Sequence, residues 1–571
     1  MAQTPTPEDA ERPDVEAAGA AGAGTAPEPR RTRTRAAKPV APADAADAAA
    51  SPADEPSPAD APVGEAPAPR PRRASRPRAA TASTAATDGP APGDPPAAEA
   101  GAPKARRASP PRTAKPATEA AAAQSSGPVD RGGAWAVVGA GPHGLSALKA
   151  LLQHGIDADG FERESDVGGN WNFGAENSRV YESTHLISSK PFTQFPDFPM
   201  PDSYPDYPSH RQVKEYFGRY ADHFGLRHRI RFRSDVVKAE PVDGGARWDV
   251  TVRDRDSGAE TTYRYSGLVV SNGHNWNPKI PQYPGLDEFA GQVLHSADYK
   301  GADVLRGKRV LVVGAGNTGC DVAVESAQNA SHTWHSTRRG YYYNPKFAIG
   351  RPSDQVADSL LAMRLPLPVR RVLFGATLKL TVGDLTKFGL QKPDHKFFET
   401  HPIVNQQLVY YVGHGDITPM RDIERFDETG AVFQDGSRAD VDLVVFCTGY
   451  LVTFPFLDEQ WLNWSGDHPQ LFLQMFTPSY DNLVVSGLIQ PDSGQWTLAH
   501  WQGVLAARVA EALRDRPFAA RGFLSRAQSE AGRRFSAGTH YKDSTRHYFE
   551  VAHQDYLQAL QDAIHELERA A

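Results

Sequence analysis

Cysteine is nearly absent. Cys320 and Cys447 are the only two, and they stand far apart in the chain. That excludes a disulfide framework and a local Cys-x-x-Cys redox pair. Met1 to Ala134 contains no leucine, no isoleucine and no aromatic residue; Trp135 is the first aromatic and Leu145 the first leucine. Such a stretch cannot bury enough apolar area to offset the entropy of ordering, which predicts a disordered Ala/Pro/Arg-rich tail over residues 1–133. No run of about 18 apolar residues occurs, so no membrane span is expected. The N-terminus has no apolar signal core, and a cytoplasmic location is the default expectation. The net charge of −7 argues against a dominantly nucleic-acid-binding protein. Basic clusters in the tail, Arg70 to Arg73 and Lys104 to Arg107, are interspersed with acids, as in a solvated spacer whose partner is left open. No His-x-x-x-His pair with an acid stands at metal-ligand spacing, so no metal site is expected.

Two glycine loops carry the chemistry. Gly139-Ala140-Gly141-Pro142-His143-Gly144 follows the apolar run Trp135 to Val138, and Gly314-Ala315-Gly316-Asn317-Thr318-Gly319 follows Arg309 to Val313. In such a loop the first glycine permits the tight turn, the second lets the backbone approach a pyrophosphate, and the third lets helix pack on strand. The phosphate charge then rests on free N–H groups at the helix start. After the first loop, Leu145, Leu148, Leu151 and Leu152 predict a helix that stops near Gly155. A strand over Ala158 to Glu162 follows. Glu162 lies eighteen residues past Gly144, near the usual distance for a carboxylate that grips ribose hydroxyls. After the second loop, a helix over Asp321 to Ala327 leads to a strand, Ser331 to Ser336, that ends in Arg338-Arg339 with no carboxylate. Guanidinium groups there pair with a 2′-phosphate, so the second dinucleotide is read as NADP(H), with Arg338 or Arg339 as the reader.

Alternating strand and helix signals predict an α/β fold of two doubly wound, Rossmann-like dinucleotide-binding domains. The domain opened by the second loop, read as the NADPH domain, is expected as an insertion in a discontinuous domain opened by the first: first part 134–300, NADPH domain with a mixed insertion 301–440, second part with a C-terminal helix 441–571. The strand Asp442 to Phe446, followed by Cys447-Thr448-Gly449-Tyr450, is expected to return to the first domain, with Cys447 as a small buried hydrophobe. The segment Tyr341 to Val412 has helical apolar spacing at Leu360, Leu361 and Met363, and Tyr548 to Leu567 reads as a helix from Tyr548, Val551, Tyr556, Leu557, Leu560 and Ile564.

After Glu162, the turn Glu164 to Trp171, with Asn170 and Trp171 in a Gly-Gly-x-Trp loop, resembles the element that covers FAD in flavin oxidoreductases. Phe289-Ala290-Gly291-Gln292-Val293-Leu294-His295-Ser296-Ala297-Asp298-Tyr299 fits Phe-x-Gly-x-x-x-His-x-x-x-Tyr at every fixed position, and resembles the fingerprint of the flavin-containing monooxygenase family. Tyr299 is followed by Lys300, which favours this class over the Baeyer–Villiger form of the motif. Phe195 to Pro201, Pro402 to Asn405, and Ser486 to Pro491 with Gln490 resemble further family segments. The resemblance covers roughly residues 134 to 565. It implies FAD and NADP(H) as cofactors, with the discontinuous first domain (134–300 and 441–571) as the FAD domain, and an NADPH- and O2-dependent monooxygenase acting through a flavin C4a-hydroperoxide. The implied substrate is a small molecule, a soft nitrogen or sulfur nucleophile first. Baeyer–Villiger oxygenation and uncoupled NADPH oxidation are the alternatives, and a homodimer is left open. It implies that His295 supports NADP+ handling. One departure stands out: Ile187 occupies the place of the family's asparagine, with Ser188 or His185 as substitute donors or else a more apolar site. Ile187, Ser188 and His295 are therefore the candidate catalytic positions. His185 and His210 otherwise read as structural.

Overall fold

Along each central strand, successive residues face opposite sides. Trp135 and Val137 enter one buried cluster, Ala136 and Val138 another. Val310 and Val312, against Leu311 and Val313, divide in the same way. A strand buried on both faces belongs inside a covered parallel sheet. The computed structural model describes residues 127–361, 365–542 and 547–569. The predicted tail, as far as residue 126, and Met363 lie outside them.

In chain order, β1 (Trp135–Val138) leads through the first glycine loop into α1 (Pro142–Gln153) and β2 (Ala158–Phe161). Then come α2 (His210–His223), β3 (Ile230–Arg231), an antiparallel wing of β4 (Ser234–Val242), β5 (Arg247–Asp254) and β6 (Glu260–Tyr265), and the return strand β7 (Gly267–Val270). The second half repeats the plan. After β8 (Gln292–His295), β9 (Arg309–Val313) leads through the second loop into α3 (Asn317–Asn329) and β10 (His332–Ser336). A segment with α4 (Ser353–Leu361), α5 (Leu367–Thr381) and α6 (Gln406–His414) follows, then β11 (Thr418–Met420), a three-stranded wing over 423–440 and the return strand β12 (Leu443–Phe446). The chain ends with β13 (Leu483–Val485), α7 (Trp496–Asp515) and α8 (His553–Arg569).

The first sheet has the order β13-β7-β1-β2-β3 and the second β8-β12-β9-β10-β11, every pair parallel. The doubly wound α/β expectation is met. The expected boundaries at 300/301 and 440/441 are not. Both β8 and β12 lie in the second sheet, with β12 at its centre between β8 and β9. The strand before Thr448-Gly449-Tyr450 is thus the second half's own return strand, not a return to the first. The chain passes between the halves near residues 277–278 and 450–451, and these two crossings pair as an antiparallel ribbon.

Local chemistry accounts for the helix starts. Ser209 caps α2 in a reciprocal capping box with Gln212, and the Asn405 side chain caps α6. Pro142 opens α1 at a position where its missing N–H costs nothing. α1, α7 and α8 cover one face of the first sheet. α3 and α6 contribute Cys320, Val322, Leu408 and Val412 to the second core. Among the described residues no helix is long and apolar enough to cross a membrane, and no group of three side chains could hold a metal ion.

Candidate dinucleotide and oxygenation site

Both glycine loops are built by close backbone approach. Gly139 has φ +99°, and a Cβ there would stand 2.5 Å from the Ser271 carbonyl oxygen; at Gly144 it would stand 1.9 Å from the Gly139 oxygen. The second loop repeats the construction: Gly314, at φ +118°, would meet the Cys447 oxygen at 2.5 Å, and Gly319 the Gly314 oxygen at 2.0 Å. Only glycine fits these positions. Neither α1 nor α3 has a side-chain cap, in contrast to α2 and α6, and neither has an acid in its first turn. Their leading N–H groups are left for an external anion.

The first cradle has a cover and a floor. The Gly168 N–H donates to Ala140 O at 2.9 Å, and a Cβ on Gly169 would lie 3.2 Å from Gly141 Cα. The Gly-Gly loop therefore rests on the phosphate loop at glycine-to-glycine distance. Asn170 of this loop reaches Asn275 O at 3.4 Å, and Trp171 stands edge-on to Trp496 with ring centroids 6.0 Å apart. Glu162 is buried at the tip of β2. One of its oxygens accepts from the Ala140 N–H at 2.7 Å and the other from the Glu164 N–H at 2.9 Å, while burial pushes its carboxyl upward. Pro142 begins α1, and the His143 ring is buried against Gly487 with Nδ1 3.4 Å from Ser486 Oγ. Burial and the neighbouring His274 hold the His143 imidazole down at about 3. His143 thus joins the loop to the strand exit after β13.

The second cradle is tied to the segment 402–405. Asn317 accepts from the Val404 N–H at 2.8 Å and donates to Pro402 O at 3.3 Å. Asn405 donates to Asp321 at 2.6 Å, and the Tyr181 hydroxyl donates to the same carboxylate at 2.7 Å. Thr318 lies in the first turn of α3. Beyond β10, Arg338 is exposed; Arg339 is half-buried and donates to the Tyr341 hydroxyl at 3.2 Å.

The fingerprint residues brace this half. Phe289 is buried, and Gly291 leaves room for its ring, which a Cβ would meet at 2.3 Å. The Tyr299 hydroxyl donates to Glu325 on α3. His295 Nδ1 accepts from the Ala297 N–H at 3.0 Å, so Nε2 carries the proton and donates to Gly449 O at 3.1 Å. Both nitrogens are engaged by backbone and burial lowers the imidazole's pKa. His295 is a structural tie between β8 and the Thr-Gly-Tyr turn, with no nitrogen left for acid–base work.

Ile187 and Ser188 are half-buried, and Ser188 Oγ pairs with Thr193 Oγ1 at 2.7 Å. Gln490 is held by backbone pairing of Gln490-Pro491 with Glu550-Val551. Sequence reasoning missed Ser271-Asn272-Gly273-His274. This stretch follows β7 as Cys447-Thr448-Gly449-Tyr450 follows β12 and carries the carbonyl on which Gly139 turns. The parallel between the two apolar-strand-to-x-x-Gly-aromatic stretches was the available signal.

The family model for flavin-binding monooxygenase-like proteins matches residues 133–568. The chain is similar to human flavin-containing monooxygenase 5, with 34% identity over 447 residues, 75% of this chain and 82% of that one. It is also similar to rabbit (Oryctolagus cuniculus) dimethylaniline monooxygenase [N-oxide-forming] 2, with 31% identity over 398 residues, 67% of this chain and 74% of that one. Among solved structures, S-allyl-L-cysteine S-oxygenase from Allium sativum superposes with TM-score 0.53 at 19% identity, over 76% of this chain and 89% of that one. Cyclohexanone monooxygenase bound to ε-caprolactone superposes with TM-score 0.58 at 18% identity, over 76% and 98%. At these identities the two structures speak to the fold.

Proposed function

We propose, from the premise that this chain belongs to the flavin-binding monooxygenase-like family, a placement of its two cofactors and a class of substrate. The chain is an FAD-dependent NADPH monooxygenase. In our reading the Gly139–Gly144 cradle and first-sheet half hold FAD, and the Gly314–Gly319 cradle and second-sheet half hold NADP(H). The substrate is a small molecule with a soft nitrogen or sulfur nucleophile.

The residues present fit both dinucleotides. Each cradle would be filled by a Cβ, and each opens a helix with no side-chain cap or first-turn acid. When bound, FAD and NADPH supply hydride transfer and O2 activation. The protein binds, orients and shields. The N-termini of α1 and α3 receive the pyrophosphates. Glu162, fixed by two backbone N–H groups, still has lone pairs for ribose hydroxyls. Arg338, exposed at the end of β10, pairs with the 2′-phosphate, and Arg339 supports it from its Tyr341 anchor. Gly168 to Trp171 cover the first cradle and exclude water. Ser188, oriented by Thr193, is the hydroxyl beside Ile187. Gln490 is held in place by its strand, and His295 steadies the second half.

The observation that carries this reading is the repetition of one cradle in both halves of a chain of this family. Its test is purification with bound flavin. Addition of NADPH should then bleach the flavin, and O2 consumption with a tertiary amine or thioether should yield N-oxide or sulfoxide. An ester formed from a ketone would replace the substrate assignment with Baeyer–Villiger oxygenation. Peroxide release equal to NADPH consumption, whatever the substrate, would mark an uncoupled oxidase. A protein that holds no flavin would refute the placement of cofactors.

A further inference from the structure

Ile187 puts no hydrogen-bond donor into the stretch 186–189 from its side chain, and the inserted segment reaches that same stretch. Lys346 Nζ donates to Leu186 O at 3.4 Å, Asp354 accepts from the Ser189 N–H, and Gln355 Nε2 donates to Ser189 Oγ at 3.5 Å. Lys346 is fixed from the first half as well. The Tyr207 hydroxyl donates to the Lys346 carbonyl at 2.6 Å, and the ammonium lies 5.1 Å from the centroid of the Tyr207 ring. On its other side Asp321 of α3 attracts the ammonium without closing to an ion pair, its oxygens already engaged by Tyr181 and Asn405. An ammonium has three donors. Among the described residues its one hydrogen-bond acceptor, Leu186 O, stands beyond normal hydrogen-bond length, and burial lowers its pKa. Such a donor, pre-positioned between the 186–189 stretch and the helix opened by the second glycine loop, is poised for a ligand oxygen.

We propose that Lys346 takes over the donor role that Ile187 cannot fill, contacting an oxygen acceptor on the nicotinamide half of bound NADP(H). This rests on the placement of NADP(H) in the second cradle. The adenosine end belongs to Arg338 at the end of β10, so Lys346 is left for the opposite end of the same dinucleotide.

The test titrates FAD-loaded protein with NADP+, followed by the flavin spectrum, and with adenosine 2′,5′-bisphosphate, which lacks the nicotinamide half, followed by calorimetry. Lys346→Met should weaken NADP+ by about 10- to 100-fold, the size of a lost charged hydrogen bond. It should leave flavin content and adenosine 2′,5′-bisphosphate affinity unchanged. Lys346→Arg, which keeps a cationic donor, should recover most of the NADP+ affinity. Equal weakening of both ligands, or no weakening of NADP+, would overturn the proposal. If the unaltered protein binds neither ligand while holding flavin, the placement of NADP(H) fails instead.

Discussion

Gly314 lies against the main-chain carbonyl of Cys447, so close that a Cβ on the glycine would stand 2.5 Å from the carbonyl oxygen. The first half contains the same relationship between Gly139 and Ser271. In each half the phosphate loop is turned against the exit of the strand beside it, and the third glycine folds back onto the first. The two cradles are therefore mechanically alike, and on the placement proposed above, FAD in the first and NADP(H) in the second, they can be disabled separately.

Gly144→Ala places a methyl group 1.9 Å from the Gly139 carbonyl oxygen, and Gly319→Ala places one 2.0 Å from that of Gly314. Neither backbone can yield without opening its loop. We expect Gly144→Ala to be purified without flavin. Gly319→Ala should keep its flavin, read by absorbance, while reduction by NADPH slows by at least about 100-fold, consistent with loss of several backbone contacts to phosphate.

Arg338 is exposed at the end of β10. Arg338→Ala should raise KM for NADPH by about 10- to 100-fold and leave KM for NADH nearly unchanged, the range expected for one charged contact to phosphate. Arg339 already bonds Tyr341, so Arg339→Ala should have the smaller effect. Equal changes with both nucleotides would show that neither arginine reads the 2′-phosphate.

Asn317 binds the segment 402–404 through both ends of its amide. Asn317→Ala leaves the Val404 N–H and the Pro402 carbonyl without those partners. Each half-buried lost bond costs about 1 kcal/mol. We expect a lower Tm, a raised KM for NADPH, and flavin content equal to that of the unaltered protein.

His143, His274, His295 and His335 all have pKa values lowered by burial, His143 to about 3. In the unfolded chain each titrates near 6.5. Above that pH both states are neutral and the fold keeps its full stability. As pH falls below it, the unfolded chain takes up protons that the folded protein refuses, and stability declines. Tm should fall between pH 7 and pH 5, and His295→Gln should flatten part of that slope. A Tm independent of pH over this window would show that these rings are not held neutral.

Much of the site was legible because its requirements are local. A positive φ at Gly139 and Gly314, the Cβ exclusions at Gly144 and Gly319, and the absence of an acid at the end of β10 are properties of short stretches. α1 was read nearly to its ends from its leucine spacing. α3 was read too short, as Asp321 to Ala327 rather than Asn317–Asn329, since its first turn is the loop itself. The C-terminal helix was read from Tyr548, whereas α8 spans His553–Arg569 and the short strand Glu550–Val551 precedes it. A Tyr and a Val at helical spacing look the same in either state. Lys346 gave no signal at all: its position depends on Tyr207, Leu186 and Asp321, residues distant in the chain.

By itself the sequence determined that this is a two-dinucleotide α/β chain, because strand periodicity, glycine sterics and the charge at a strand end are settled within a few residues; its monooxygenase kind came from the resemblance of Phe289 to Tyr299 to the family fingerprint. Only the tertiary structure decided which sheet receives β8 and β12, where the chain crosses between halves, that His295 is consumed by backbone partners, and that the inserted segment brings the Lys346 ammonium to the stretch that holds Ile187. Those outcomes depend on which strands become neighbours, and an apolar strand such as Leu443–Phe446 would be buried equally well in either sheet until the chain on both sides of it is folded.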